Sequence, residues 1–245
     1  MKILLAPAET KYDGGEEISY QKENFKFEEL FSIRDNIVKN YVNFIQNSTI
    51  EELSSWFGLK NLKECKKYSK NILEQPTTKA ILRYTGVAFD ALDYKQLSNE
   101  QQNYCDENII IFSNLFGAVL ASDLIPDYKY KQGANLPGID TIKLYKENSK
   151  DILDNFIGEE VIDLRAGFYD KFYKPSMNTI TCKFLKDGKV VSHWAKHYRG
   201  LLVNQLAINN IKTIDEFLNM QIDNLQIQEI VEKKNKREIV YNIIE

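Results

Sequence analysis

The chain has 245 residues and a formal net charge of −3, with 43% hydrophobic and 27% charged residues. These values are ordinary for a globular protein, and the length suffices for one large domain or two small ones. No apolar run approaches the ~18 residues of a membrane helix. The net charge is negative, so the chain as a whole lacks the positive charge that is typical of nucleic-acid-binding proteins. Three isolated cysteines without a CxxC motif argue against a disulfide framework and favour a reducing cytoplasm.

The first part of the chain predicts a strand followed by helices. Residues 1–6, MKILLA, form an apolar stretch that is too short for a signal-peptide core, so we predict a first strand. Apolar residues between 27 and 46 recur at helical spacing and predict a helix. Thr49 then opens the next helix, because Glu52 completes a capping box with it, and Gly58 ends that helix.

A lysine-rich helix follows Gly58 and carries Lys63, Lys66 and Lys67. The helix–glycine–helix unit, about residues 49–74, resembles a helix-hairpin-helix module. In such a module the glycine turn lets backbone amides approach a phosphate, and nearby lysines add positive charge. Two helices joined by a glycine turn are also an ordinary packing motif, so both interpretations stay open at this point.

The remaining chain predicts strands that alternate with helices and loops. The predicted elements are a helical stretch around Gly86 within residues 77–93, buried strands over residues 107–119 and 161–164, a hairpin over residues 179–192 that turns at Asp187-Gly188, a helix over residues 192–209, a helix opened by Thr213 with Glu216, and a closing strand over residues 237–245. No repeat or low-complexity linker divides the chain. We therefore predict a single mixed α+β domain over residues 1–245, with a central sheet flanked by helices and the lysine-rich helix pair as a sub-lobe.

Positive charge is concentrated in residues 161–200. This segment holds eight Lys or Arg against three Asp, a local charge of +5 that leaves −8 for the rest of the chain. Such an asymmetry creates a local positive field in an acidic protein. A solvated charged face is the commoner cause of a charge run, so the segment alone does not identify a ligand.

Charged side chains follow two of the predicted strands, at positions where ligand sites commonly lie. Glu9 and Lys11 come after the first strand, and Asp163 and Arg165 lie at the end of the strand over residues 161–164. A carboxylate or an amine at such a position is a candidate general acid or base. Charged groups at strand ends also commonly do no more than meet solvent or cap a turn, so catalysis is a hypothesis here.

Both histidines of the chain lie in the stretch SHWAKHYRG, residues 192–200. His193 and His197 are four positions apart, a spacing that can bind zinc from one face of a helix. The metalloprotease pattern, however, has a glutamate after the first histidine, and Trp194 occupies that position here. No third ligand is nominated nearby, so we predict no metal site and treat the histidines as structural or surface residues.

Helical geometry separates the other side chains of this stretch. Trp194, Tyr198 and Leu201 are expected to pack on the sheet, and Lys196 and Arg199 to lie on the opposite side of the helix, one turn apart. A guanidinium offers a bidentate fork and an ammonium a point charge. The pair is therefore a candidate anion clamp, with an ordinary exposed pair as the alternative.

Five short blocks, taken in order, resemble a known family. They read LLAPAETKYDGG, RYTGVAFDALD, IFSNLFGAVLASDLIPDYKY…LPG, VIDLRAGFYDKF and VSHWAKHYRG, and they run from residue 4 to residue 200. As a set they resemble the YaaA family of bacterial peroxide-stress proteins. The first block is closer to the family's PPSETK variant than to SPAKT, with Ala6 and Ala8 in place of Pro and Ser. The last block shares the family's AKxxRG core, which includes Lys196 and Arg199.

The resemblance implies a cytoplasmic protein that limits oxidative damage under peroxide stress. Members of the family look like double-stranded DNA binders with a positively charged cleft and a helix-hairpin-helix element, and they are linked to low free iron. We therefore expect DNA binding without sequence specificity and without a cofactor. The candidate DNA-binding residues are Lys196, Arg199, Arg83, Arg165, Lys183, Lys63, Lys66 and Lys67.

Two other functions stay open. One is an enzyme acting on a small anionic, nucleotide-like substrate, with Glu9, Lys11 and Asp163 as candidate catalytic groups beside a Lys/Arg clamp. The other is direct binding of iron, for which carboxylates would have to serve, because histidines and cysteines are few.

Overall fold

The computed structural model describes residues 1–16 and 19–244, without the side chains of residues 192 and 193. In this part of the chain the strands are Lys2–Leu5 (β1), Thr77–Lys79 (β2), Ile109–Ser113 (β3), Gly117–Leu120 (β4), Leu124–Pro126 (β5), Glu160–Leu164 (β6), Asn178–Lys186 (β7), Lys189–Val190 (β8), Leu225–Lys233 (β9) and Lys236–Ile243 (β10). The α-helices are Phe31–Asn47 (α1), Ile50–Phe57 (α2), Leu62–Tyr68 (α3), Ala80–Arg83 (α4), Val87–Leu92 (α5), Asn99–Asn108 (α6), Thr141–Ile157 (α7), Ser192–Ile208 (α8) and Ile214–Asn219 (α9).

A mostly parallel sheet forms the centre of the fold. Its strand order is β4-β3-β1-β6-β7-β10-β9, and β8 pairs with the free part of β7. The strands from β3 to β10 in this order run parallel, whereas β4 and β9 are antiparallel to their neighbours. The central strands are almost wholly buried, as expected for apolar β-branched runs in a parallel sheet covered by helices. The predicted mixed domain with a central sheet and flanking helices is confirmed.

Several predicted helix ends are confirmed at atomic detail. The Thr49 hydroxyl accepts the N–H of Glu52, and the Glu52 carboxylate accepts the N–H of Thr49 at 2.7 Å, so the capping box of α2 is complete. Gly58 ends α2 with φ +67, a left-handed conformation that glycine adopts without strain. The helix pair of α2 and α3 is therefore present, and its helix-hairpin-helix character stays a prediction.

The segment predicted as one strand over residues 107–119 contains three elements. α6 continues to Asn108, β3 follows, and the chain then turns back into the antiparallel β4. The turn forms because the Ser113 hydroxyl accepts the N–H groups of both residues 115 and 116. At Gly117 the backbone has φ +69, and a Cβ there would lie 2.5 Å from the Tyr145 ring. The apolar run hid this turn because every residue in it is buried.

Two further differences concern the predicted helical stretch around Gly86 and the edge of the central sheet. The helical stretch predicted around Gly86 is divided into β2, α4 and α5, because Gly86 takes φ +100 and begins α5 afresh. The predicted closing strand is confirmed as β10, but its partner β9 was not predicted. β9 is a sheet edge whose side chains are mostly exposed, so its sequence lacks the apolar run of a buried strand. In the described part of the chain, no helix has both the length and the apolarity to span a membrane.

The approach of α5 to α8 is unusually close. The two helices pack together, and a Cβ at Gly200 in α8 would overlap the carbonyl oxygen of Ala88 in α5. Only glycine leaves room for that carbonyl, so this one residue sets the spacing of the two helices. The spacing brings the first turn of α5 next to the first half of α8, where Lys196 and Arg199 lie.

Gly200→Ala should lower the free energy of unfolding by about 1–3 kcal/mol, because the added methyl group forces two helix backbones apart. Urea denaturation followed by far-UV circular dichroism measures the change. Gly167→Ala is the matched control, because a Cβ at Gly167 meets no atom within 4 Å. An unfolding midpoint for Gly200→Ala equal to that of the control would contradict the close approach of the helices.

Candidate functional site

A cavity of about 460 Å³ opens at the carboxyl ends of β1 and β6. In the central sheet β1 and β6 are neighbours. The chain goes from β1 to β3, which lies on the far side of β1 from β6, whereas it goes from β6 to β7, which lies on the far side of β6 from β1. Strand ends at such a reversal leave a crevice, which is where ligands bind in open α/β sheets. The cavity is lined by residues 5–10, residues 85–89, Gln132, Leu164, Ala166, Tyr169, Lys196 and Arg199.

The predicted clamp residues Lys196 and Arg199 both line this cavity. Lys196 is exposed, whereas Arg199 is half-buried. Burial lowers the pKa of the Arg199 guanidinium, and the Cys182 thiol and the Asp163 carboxyl only partly oppose this effect. Among the described side chains none forms an ion pair or hydrogen bond with either cation. Arg199 was predicted to face away from the core, but it is partly buried, and the groups that act on its pKa, Cys182 of β7 and Asp163 of β6, belong to the central sheet.

The rest of α8 follows the predicted pattern in part. Tyr198 is buried and stacks on Phe184 of β7, as expected for the packing face. Trp194 was predicted on the same face, but it is 37% exposed, and the Lys186 ammonium lies 4.8 Å from its ring centre. The first turn of α8 follows the two-residue strand β8, whose Val190 is exposed, so Trp194 lies at the margin of the core.

Glu9 lies in the loop after β1 and joins two loops of the site. Its carboxylate accepts hydrogen bonds from the Lys129 ammonium at 3.0 Å and from the backbone N–H of Gln132 at 2.9 Å. Burial opposes ionisation of Glu9, but these two hydrogen bonds outweigh it and lower the pKa of the carboxyl. Glu9 is therefore a carboxylate with its charge already balanced, and it holds Gln132 at the cavity.

Lys11 lies behind the same loop in an apolar setting. Its ammonium donates to the carbonyls of Ala8 at 3.3 Å and Glu9 at 3.4 Å, and it lies 4.4 Å from the centre of the Tyr128 ring. Burial lowers the pKa of Lys11 to about 8, against the opposing effect of the Glu9 and Asp127 carboxylates. An amine with a pKa near neutrality suits general acid–base work.

The family model of the peroxide stress protein YaaA matches residues 1–231. The chain belongs to this family. It is 44% identical over 246 residues to an uncharacterized protein of Campylobacter jejuni, and the match covers 100% of both chains. A UPF0246 protein of Corynebacterium efficiens is 35% identical over 216 residues, 84% of this chain and 85% of the relative. A UPF0246 protein of Fusobacterium nucleatum is 26% identical over 246 residues, 96% of this chain and 97% of the relative.

Arg83, a predicted anion-binding residue, is fully buried at the end of α4. Its guanidinium donates to the carbonyls of Ile125 at 3.1 Å and Pro76 at 3.2 Å, and also to the carbonyl of Tyr12. These bonds connect β5 to the loop after β1. Arg83 therefore has no face toward the cavity, and we exclude it from the candidate site of this family member.

Arg165 and Asp163 form an internal ion pair. The guanidinium donates to both carboxylate oxygens, at 2.9 and 2.7 Å, and to the carbonyls of Tyr169 and Tyr173. Both side chains are buried, and their pairing fixes the chain that follows β6. The structure therefore places the predicted base Asp163 and the predicted anion-binding Arg165 in the core, where they position Tyr169 through its carbonyl.

Four of the five predicted DNA-binding lysines, all except Lys196, lie outside the cavity. Lys63, Lys66 and Lys183 are exposed. Lys67 is partly buried and bridges the Asp127 carboxylate at 2.8 Å and the Asp13 carboxylate at 3.2 Å. Of the predicted residues, the structure thus brings Lys196, Arg199 and Glu9 together around one cavity, with Lys11 behind Glu9.

Most of the cavity-lining residues were not predicted as site residues, among them Thr85, Gly86, Gln132 and Tyr169. Thr85 and Gly86 carry a weak signal, because a glycine before a helical pattern often marks a sharp entry into a helix. Tyr169 lies in the block VIDLRAGFYDKF, but its position depends on the Arg165–Asp163 pair. The sequence gives no sign that Gln132 belongs to the site, because its backbone N–H is held there by a hydrogen bond to Glu9, which is far away in the chain.

The histidines contribute no described metal site. His197 contacts the rings of Tyr198 and Trp194, and the side chain of His193 lies outside what the structure describes. Within the described residues, no three His, Cys, Asp or Glu side chains come together as metal ligands would. Direct iron binding therefore receives no support from a cluster in this part of the chain.

The lowered pKa of Lys11 has a measurable consequence for stability. Below pH 8 both folded and unfolded chains hold the proton, so the buried charge destabilises the fold. Between pH 8 and pH ~10.4, Lys11 is still protonated in the unfolded chain but has lost its proton in the folded chain. The free energy of unfolding therefore rises with pH over this range. Lys11→Met should be more stable than the wild type below pH 8, and this margin should narrow as the pH rises.

Urea denaturation of both proteins at several pH values between about 7 and about 10 measures this margin. Lys63→Met, which removes a charge from the exposed surface of α3, controls for the change in net charge. A margin for Lys11→Met that stays constant over this range would show that the ammonium is not destabilised by its surroundings.

Proposed function

We propose that this member of the peroxide stress family binds double-stranded DNA, with Lys196 and Arg199 gripping the phosphate backbone at the cavity. The observation that carries the proposal is the half-buried Arg199 without an anionic partner among the described side chains. An unpaired charge in such a place destabilises the protein, and a bound phosphate would compensate it through charge-assisted hydrogen bonds.

The distribution of charge supports a polyanionic ligand. Residues 161–200, which include the exposed Lys183, carry +5, and the exposed Lys63 and Lys66 add sites that could contact further phosphates. Contacts to phosphates position a protein on DNA without reading its sequence, so we expect binding to any duplex. The helix-hairpin-helix interpretation of α2 and α3 belongs to the same proposal.

Binding to a fluorescent duplex should weaken steeply with salt, with a log–log slope of about −0.9 for each phosphate neutralised. Lys196→Ala and Arg199→Ala should each lower the affinity and reduce the magnitude of that slope by about 1. Fluorescence anisotropy over a salt series measures both quantities.

Lys39→Ala is the matched control, because Lys39 is an exposed lysine on α1, a helix that packs with α7 rather than with α8. It should leave the slope unchanged. An affinity for the duplex that does not change with salt, or no binding at ~50 mM salt, would contradict the DNA proposal.

An enzyme acting on a small anionic, nucleotide-like substrate is the second candidate. It is favoured by the cavity itself, because a volume of about 460 Å³ is that of a small-molecule site. Glu9 lines this cavity, and Lys11, with its pKa of about 8, donates to the Glu9 carbonyl. These two groups could move a proton while Lys196 and Arg199 hold the anion.

Glu9→Gln separates the two candidates, because it removes the carboxylate charge and keeps one acceptor oxygen, which can serve either Lys129 or Gln132. If the site is catalytic, cells carrying this variant should lose peroxide survival while the purified variant keeps its DNA affinity within about twofold. Glu147→Gln, on the exposed side of α7, is the control. Full peroxide protection by Glu9→Gln with DNA binding retained would argue against catalysis by Glu9.

A further inference from the structure

The cavity has a part that phosphate binding does not require. A phosphate on the backbone needs only the two cations. Much of the remaining lining is apolar: Leu5, Ala6, Pro7, Ala8, Phe89, Leu164 and Ala166. The Tyr169 ring adds an aromatic surface that is almost completely withdrawn from solvent. Apolar walls beside an anion clamp fit a ligand that has both an apolar, flat part and an anionic part.

The polar groups at the mouth narrow the ligand class further. Glu9 is charged, but its carboxylate is already bonded to Lys129 and Gln132, so it adds little repulsion toward an anion. The side chains of Thr85 and Gln132 also line the cavity and offer donors and acceptors to a heterocycle. The mouth therefore combines positive charge, from Lys196 and Arg199, with neutral groups that can form hydrogen bonds.

We propose that this cavity takes a single nucleotide, with its phosphate on Lys196 and Arg199 and its base between the apolar walls and the Tyr169 ring. This inference rests on the proposed function, since the clamp must hold a phosphate. A volume of about 460 Å³ lies within the ~300–1,000 Å³ of small-ligand pockets, and it is far larger than a phosphate alone needs.

The nucleotide has two possible sources with the same chemistry. It can be a free nucleoside monophosphate, or it can be one nucleotide turned out of a duplex while the flanking phosphates stay on the protein surface. Turning a base out of the stack is unfavourable, and proteins that do this offer the base an apolar or aromatic pocket. The cavity provides such a pocket next to the residues that are proposed to hold the backbone.

A duplex containing 2-aminopurine tests the second source, because this base fluoresces strongly only when it leaves the stack. We expect a severalfold rise in its fluorescence when the wild-type protein binds the duplex. Ala166→Phe and Ala8→Leu each fill the cavity, and both should lose the rise in fluorescence. Two variants are used so that the test still holds if one of them does not fold. Lys39→Ala should behave as the wild type.

Calorimetric titration with dAMP and with inorganic phosphate tests the first source. We expect dAMP to bind at least about tenfold more tightly than phosphate, and the cavity-filling variants to lose this preference. A preference for dAMP without a fluorescence rise supports the cavity as a site for a free nucleotide.

Two outcomes contradict the inference in different ways. Salt-dependent duplex binding without a fluorescence rise, together with no preference for dAMP over phosphate, overturns the nucleotide site and leaves the DNA proposal standing. Absence of binding to duplex, dAMP and phosphate alike overturns both, because the clamp then holds no phosphate.

Discussion

The candidate site depends on how closely α5 packs on α8. Gly200 leaves room for the Ala88 carbonyl, and this contact holds the first turn of α5 beside the helix that carries Lys196 and Arg199. With a larger residue at position 200 the two walls of the cavity would separate. The glycine of the AKxxRG core thus has a physical role distinct from that of the two cations: it sets the width of the site that they line.

The buried arginines show why Arg199 differs from the others. Arg34, Arg83 and Arg165 are as buried as apolar core residues, and each donates hydrogen bonds to backbone carbonyls. Such bonds offset the loss of hydration of a guanidinium. Arg199 is less buried, but no partner among the described side chains compensates it. A guanidinium kept in this state is typical of a binding site rather than of a structural network.

The sequence predicted the elements whose signals are local and could not predict those that depend on distant contacts. The capping box of α2, the Asp187-Gly188 hairpin and the long helix α8 follow from residues within a few positions of one another, whereas at α9 only the Thr213 half of the predicted capping box forms. The edge strand β9 has no apolar pattern, and the turn after β3 is masked by buried neighbours. Lys196 and Arg199, which line the cavity, were predicted as site residues from their helical spacing together with the AKxxRG resemblance. The internal roles of Arg83 and Arg165 could not be predicted, because the sequence does not reveal whether the donors of an arginine face solvent or bond to carbonyls far along the chain.

The position of β10 has a consequence for how the protein folds during its synthesis. This strand lies between β7 and β9, although it follows both in the chain, and its Tyr241 stacks on Phe184, which in turn stacks on Tyr198 of α8. During synthesis, α8 therefore emerges from the ribosome before the sheet beneath it can be completed. The stack of Tyr241, Phe184 and Tyr198 is complete only after residues 236–243 have been made, so a nascent chain that already contains the whole cavity lining still lacks part of the packing beneath α8.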